Sequence, residues 1–506
     1  MSNDGISRER LEAPPGALYT ETILKPSYDF MLEHYFTPLV ETNKAWTVML
    51  VDAGIVEPEV GARLLDAITE LEAGGPEAMG EFNPKYEYFY STMEHHLIAA
   101  AGEEVAGEIN IGRTRPEPLA RMVVRERLLT VLADLSALTE VLLDVADREV
   151  DTVMPQWTHL QHAQISTLAH YLLGIVGALA RDSDRLSAAY RTVNRSTLGC
   201  GALAGSSYPL DRELVAGLLG FDGVRENTID CVSSGDWVLE TTAALANMMI
   251  TLSRLSEDLY VWHSEEFDFV SVADEYAGSS SMMPQKKNAY PFEYVRARGA
   301  HAVGDMVSAF GTLHNTNFQD IKDVEEEIVP PVLRSLEEAS RSLRLLAGTI
   351  GSMEIRRERM LERAAAGFAS VTELAAVIHR QTELSARTAH RVVGNLVLRA
   401  VKRGARATDV DAAMVNESAR EVLGHDLDLD DASVRRALDP RGFVEAHDGP
   451  GGPAPDVVRK AAKRARAGLG SERDHVSAAR SALAEAGAEL RRRVDLLDAR
   501  QGAGRS

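Results

Sequence analysis

A chain of 506 residues with 54 basic and 76 acidic side chains carries a formal charge of −22. That balance argues against nucleic acid as a partner, since phosphate binding needs basic surface, but it leaves room for a local cationic pocket. Apolar residues make up 45% of the chain, enough for a sizeable core, and no apolar run approaches the roughly 20 residues of a membrane span. The polar N-terminal text lacks the apolar stretch of a secretory signal, and only two cysteines occur, Cys200 and Cys231. A cytoplasmic protein with reduced thiols and no membrane segment is expected.

Residues 1–113 read as short helical stretches mixed with turn text such as EAGGPEAMGEFNPKYEYF. From 117 to about 150 the pattern turns strongly helical. Leu128, Leu132, Leu135, Leu138, Leu142 and Val145 recur at three- and four-residue steps with charged residues between them. That is the period of an amphipathic helix with a bundle seam, on the order of 50 Å long. Further long helices are predicted over 166–193, 236–267 and 291–315, separated by breaks at 195–212 and 274–288. Such lengths predict an all-α protein built on a long central bundle. After about residue 365 the helices shorten, a loop spans 446–455, and the text from Asp456 reads as helical to a frayed tail. The expected division is an N-terminal mostly helical domain over 1–113, a central long-helix domain over 114–365 and a small helical domain over 366–506.

Three segments carry chemistry. In GSSSMMPQKKN, residues 278–288, small residues make a mobile loop that brings hydroxyls close to Lys286 and Asn288. Lysine supplies a point charge for a carboxylate and asparagine adds hydrogen bonds; a flexible linker with a solvated basic end is the plainer reading of the same composition. In MPQWTHLQHAQ, residues 154–164, stand Thr158 and His159. A single histidine is more often structural than catalytic. His159 and His162, three apart, suggest a metal pair, but no carboxylate or third ligand accompanies them at a familiar spacing. GEINIGRTRPEP, residues 107–118, offers Arg113, Thr114 and Arg115 as cation, hydroxyl and cation. The GCGALAG string at 199–205 lacks the G-x-G-x-x-G spacing and follows polar text, so no dinucleotide site is expected.

The order of residues in the first segment resembles SSxMPxKxN, the signature of the aspartase/fumarase superfamily, and its MPQKKN form resembles the argininosuccinate lyase branch. Aligned on Met283 and Pro284, the resemblance puts the general-base serine at Ser280 and substrate-binding positions at Ser281, Lys286 and Asn288. Ser279 stands where the branch usually has glycine. The second segment is similar to MPGYTHLQRAQP, which implies site roles for Thr158 and His159, with Glu293 as the carboxylate partner of that histidine. The third is similar to GRSRNDQ and matches Arg113, Thr114 and Arg115, but Pro116, Glu117 and Pro118 replace Asn-Asp-Gln. Supporting matches extend over most of the chain: GCGALAGSSYPLDR is similar to GSGALAGTTYPIDR, DCVSSGDWVLE to DAVSDRDFVLE, and GFASVTELA and ARTAHRVVG to C-terminal strings of the branch. Gln319 and Lys322 fall at substrate positions. Tyr90, in EYFYSTMEHHL, falls where it lines the amine pocket.

The resemblance implies a carbon–nitrogen lyase that eliminates fumarate from an N-substituted aspartate with neither metal nor organic cofactor. It also implies a homotetramer with a 20-helix core, in which the three segments meet from three subunits. Pro116, Tyr290 and His314 depart from the branch only where the amine is read. That pattern resembles ethylenediamine-N,N′-disuccinate lyase, a relative that adds fumarate to diamines. Argininosuccinate is the alternative substrate, and a non-catalytic structural oligomer of the lens-protein kind is the alternative of another class. With no convincing metal motif, activity is expected to survive exhaustive dialysis against a chelator. Loss of fumarate release that a single divalent ion restores would overturn that expectation.

Overall fold

The computed structural model describes residues 11, 13–114 and 118–504, so Arg115, Pro116 and Glu117 lie outside the described residues. The chain is 71% helical, in agreement with the all-α expectation. The N-terminal part folds as α1 (Lys25–Asp52), α2 (Pro58–Gly74) and α3 (Phe89–Ala101). The reading of 1–113 as short helical stretches is corrected by α1, which runs unbroken for 28 residues. Two features hide it in the sequence. Pro38 lies inside the helix, and every residue from Thr42 to Val51 is buried, which erases the apolar stripe of a surface helix.

Next come α4 (Leu119–Arg148), the antiparallel strands β1 (Val153–Thr158) and β2 (Gln161–Thr167), and α5 (Leu168–Val193). The short α6 (Thr228–Ser233) leads into α7 (Asp236–His263). The last two bundle helices are α8 (Tyr290–Leu313) and α9 (Val329–Ser352). Helices α4, α5, α7, α8 and α9 each pack on the next, and α9 returns to α4, closing a five-helix ring. The predicted seam points into this ring: Leu128, Leu138 and Leu142 are fully buried among Leu172, Leu252 and Leu343. Burying each such leucine contributes about 1.5–3 kcal/mol. The seam is therefore spent within one chain.

Local signals set the helix starts. Thr167 Oγ1 accepts the N–H of His170 at 3.2 Å and caps α5, and Pro291 opens α8 where a missing N–H costs nothing. Helices α10 (Val371–Gln381), α11 (Ala386–Lys402), α12 (Ala412–Leu423) and α13 (Asp431–Leu438) share a core of their own. The final helix, α14 (Pro455–Gly504), leaves that unit and runs back along α4. Arg466 meets Asp144 and Asp147, Arg473 meets Glu140, and Arg493 reaches Asp52 at 2.5 Å. Of the segment 366–506, the packed small unit is thus the first part, while α14 braces the bundle and the N-terminal helices. No described helix is long and apolar enough to cross a membrane.

Candidate active site

The serine loop is pinned at its base. β3 (Gly278–Ser279) pairs with β4 (Lys287–Asn288), so residues 280–286 form the tip of a small hairpin at the head of α8. Asn288 Nδ2 donates to the Gly278 carbonyl at 3.1 Å and to Tyr290 Oη at 3.3 Å. The Tyr290 ring lies so close to Gly278 that any Cβ there would overlap it, which is why glycine stands at this position. Lys287 pairs with Asp274 at 2.8 Å, and its carbonyl lies 3.2 Å from His263 Nε2. On this base, Ser280 Oγ accepts the N–H groups of Met283 at 3.1 Å and Met282 at 3.4 Å. Two amides aimed at one oxygen favour its alkoxide over its alcohol. Ser281, Lys286 and Met282 are exposed around it.

The second segment occupies the β1–β2 hairpin. Its two-residue turn is His159 and Leu160, with φ of 53° and 59°. Left-handed backbone at both positions is the usual geometry of a tight hairpin, but histidine and leucine adopt it at a cost. Trp157 holds the hairpin against Trp262, Phe267 and Phe269, with ring centroids 5.8–6.1 Å apart. Thr158 and His159 are exposed at the tip, and Leu160 is 83% exposed. Glu293, in the first turn of α8, is hydrogen-bonded to Tyr260 and its charge raises the Tyr260 pKa. Within the chain His159 and Glu293 make no hydrogen bond or ion pair with each other. His162 packs edge-on against Trp157 at 5.9 Å, and burial, then Arg363, lowers its pKa. Among the described residues, no three His, Cys, Asp or Glu side chains are grouped to hold a metal ion.

The third segment lies elsewhere. Arg113 donates to Asn43 Oδ1 at 2.7 Å and stacks on Tyr90 and Trp46, at 5.2 and 5.9 Å from the ring centres. Its Nε and Nη2 are buried without a hydrogen-bond partner among the described residues. Tyr90 donates to Asn110 Oδ1 at 3.1 Å. Thr114 borders a cavity of about 240 Å³ lined also by Tyr88, Tyr90, Asp320, Lys322 and Glu325. Gln319 is exposed beside it. Lys322 is bound by Glu325 at 2.7 Å and by Glu326, which Ser27 Oγ also bonds at 3.0 Å. Burial opposes the charge of Lys322, but the two carboxylates outweigh it and hold its pKa above the ordinary lysine range. Burial in turn raises Glu325, against the pull of Lys322. These acids were not singled out in the sequence. The available signal was the run DVEEE, which places carboxylates three and four residues beyond a lysine.

The bundle separates these residues into two sets. Helix α8, with 24 residues, spans roughly 36 Å between the Ser280 loop and the Gln319–Lys322 segment. Helix α4, with 30, spans roughly 45 Å between Thr114 and the His159 hairpin. So Ser280, Ser281, Lys286, Asn288, Glu293, Thr158 and His159 stand at one end of the chain, and Arg113, Thr114, Tyr90, Gln319 and Lys322 at the other. Tyr290 and His314 flank opposite ends of α8.

Comparison with known proteins agrees with this architecture. Residues 65–304 match the model of a lyase family, and residues 368–445 match that of the argininosuccinate lyase C-terminal region. The chain is 37% identical to the argininosuccinate lyase of Methanothermobacter thermautotrophicus over 87% of its length and 94% of the relative's. It is 36% identical to that of Methanosarcina barkeri, over 91% and 92%. Among solved structures, EDDS lyase in complex with formate superposes with a TM-score of 0.86 at 29% identity, covering 97% of both chains. A class II fumarase from Schistosoma mansoni, 16% identical over 86% of this chain and 94% of its own with a TM-score of 0.68, shares the fold. The lyase family match and the argininosuccinate lyase relatives make this closed ring of long helices a carbon–nitrogen lyase of the fumarate-releasing kind. The chain belongs to the aspartase/fumarase superfamily, in its argininosuccinate lyase-like branch.

The amides around Ser280 Oγ generate a direct test. Ser280→Ala is expected to cut turnover by about 10²–10⁴-fold, the usual worth of a positioned base, without moving the thermal midpoint. Near-normal steady-state turnover in that variant would assign the proton abstraction to another group.

Proposed function

We propose that the chain catalyses reversible elimination of fumarate from an N-substituted aspartate, at sites assembled from several copies of the chain. The observation that carries this reading is the roughly 36–45 Å that α8 and α4 put between the two sets of motif residues. No loop movement brings them together, whereas copies packed antiparallel along their bundles set one end of each beside the other end of a neighbour. Exposed apolar side chains on the bundle favour such packing: Tyr294, Val307 and Phe310 on α8, and Ile250 on α7. Four chains with five central helices each make the 20-helix core of a homotetramer.

In such a site Ser280, as the alkoxide, removes the proton from the carbon beside a carboxylate. The charge passes to that carboxylate, where Lys286 and Asn288 stabilise it. The C–N bond then breaks, the electron pair completes the C=C bond of fumarate, and nitrogen leaves with its electrons and takes up a proton. His159, oriented by a Glu293 from the assembled site, serves that proton. Thr114, Thr158 and Ser281 hold the fumarate-derived carboxylates, with Arg113 beside Thr114 as the cation of that segment. The acids around Lys322 leave Gln319, Tyr90 and their cavity suited to a cationic amine. With Lys322 already paired to Glu325 and Glu326, little remains to receive the carboxylate of an amino acid, which favours ethylenediamine as the amine. Repeated addition of fumarate to it gives N-(2-aminoethyl)aspartate and then ethylenediamine-N,N′-disuccinate. Argininosuccinate is the second reading, favoured by the 36–37% identity to lyases that act on it.

Two experiments address these points. A Thr114→Ala chain and a Ser280→Ala chain, each nearly inactive, are expected to regain part of the wild-type activity when unfolded and refolded together. Confirmed hybrid oligomers as inactive as the parents would show that each site is built within one chain. Incubation with fumarate is expected to give the succinylated product with ethylenediamine and little with arginine; efficient cleavage of argininosuccinate with no diamine reaction would decide for the second reading.

A further inference from the structure

Helix α1 borders two cavities at once. Tyr35 lines the cavity of about 240 Å³ beside Thr114 and also a second one of about 260 Å³. Met31 and Glu326 are shared in the same way, so these three side chains form the partition between the two. Tyr35 is thereby an inner wall of the cavity that Thr114 borders. Both residues belong to the same chain.

The partition holds an unused polar group. Tyr35 is 4% exposed, with its ring set edge-on to Phe30 at 5.8 Å, and its hydroxyl makes no hydrogen bond with any described residue. A buried hydroxyl is costly to leave unpaired, and the cavities on either side are where a partner can stand. The charges around it are unbalanced too. Asp320, Glu325, Glu326 and Glu327 line the two cavities, and Lys322 is the one basic side chain among the described lining residues. Glu325 and Glu326 stand next to each other in a π-helical turn, Asp323–Glu327, and such widened turns are frequent at functional sites. Carboxylates and a free phenol oxygen call for a cation with N–H donors, while Leu39, Phe89 and Leu119 give the first cavity apolar wall for a hydrocarbon chain.

We propose, resting on the reading of the first cavity as the amine site, that Tyr35 determines which amine is used. Its hydroxyl and the Glu326 carboxylate receive the distal ammonium of an α,ω-diamine, either ethylenediamine or a longer homologue. An ammonium has three N–H donors, so it serves the phenol oxygen and a carboxylate together, alongside Lys322. A monoamine of the same length places a methyl group there and leaves the hydroxyl unpaired.

The test compares the full-length wild type with Tyr35→Phe, which removes only the hydroxyl oxygen. Fumarate consumption is followed with two matched pairs, ethylenediamine against propylamine and 1,4-diaminobutane against pentylamine, in which a methyl group replaces the distal ammonium. The wild type is expected to favour the diamine by about tenfold or more in kcat/KM, the usual worth of a hydrogen bond to a charged group. Tyr35→Phe is expected to lose most of that preference through a rise in KM, with its thermal midpoint in place. Wild-type turnover that prefers neither diamine, or the same preference in the variant, would overturn the proposal. A loss shared equally by diamines and monoamines would mark Tyr35 as structural and overturn it as well. Calorimetric titration of 1,4-diaminobutane into each chain, without fumarate, separates this inference from the reading it rests on. Should fumarate be consumed with none of the amines, diamine binding that Tyr35→Phe weakens would sink the lyase reading yet support the ammonium site. Binding equal in both chains, or absent from the wild type, would overturn the site itself.

Discussion

A helix cannot shorten. Tyr290–Leu313 holds its two ends roughly 36 Å apart, and it does so between the Ser280 loop and the Lys322 segment. Because α8 is locked into a ring with α7 and α9, it cannot bend to bring those ends together either. The stiffness that makes the bundle a good scaffold thus keeps the two sets of motif residues apart within one chain. The shared site proposed above rests on that separation, and the exposed Leu160 and Met282 lie at the tips of the two hairpins.

Within each end, order is concentrated at the base of a protruding tip. The serine hairpin is clamped by Asn288, Tyr290 and the Lys287–Asp274 pair, while its tip stays exposed. The histidine hairpin is anchored by Trp157 in an aromatic cluster, while its turn carries left-handed histidine and leucine. Both tips are positioned by a rigid base yet remain open to a substrate or to another chain. For a serine asked to ionise, this arrangement has a specific benefit: the Met282 and Met283 amides are already aimed at Oγ and need no reorganisation during reaction.

At the far end the electrostatics are of opposite sense. Lys322 alone would make the cavity beside Thr114 cationic, but Glu325 and Glu326 take up its charge and Asp320 adds another carboxylate. On the proposed function Lys286 serves the dicarboxylate from the opposite end of the bundle, while Arg113 at this end is stacked on Tyr90 and bonded to Asn43. The two sets of charges suit the two halves of an N-substituted aspartate, one anionic and one amine.

Much of this was legible in the sequence. The period of Leu128 to Val145, the helix lengths and the serine-loop string depend on local spacing, which a sequence displays directly. What hid was whatever depends on packing. Helix α1 shows no stripe over Thr42–Val51 because that part is buried all round, and the β1–β2 hairpin shows no turn signal because His159 and Leu160 stand where asparagine and glycine are usual. The stacking of Arg113 on Tyr90 and Trp46, and the packing of Trp157 on Trp262, arise only when separate segments meet. The sequence by itself determined which residues are chemically competent and which helices are long. The tertiary structure alone decided which of them stand together, because distance along a chain says nothing of distance in space until rigid helices have set it.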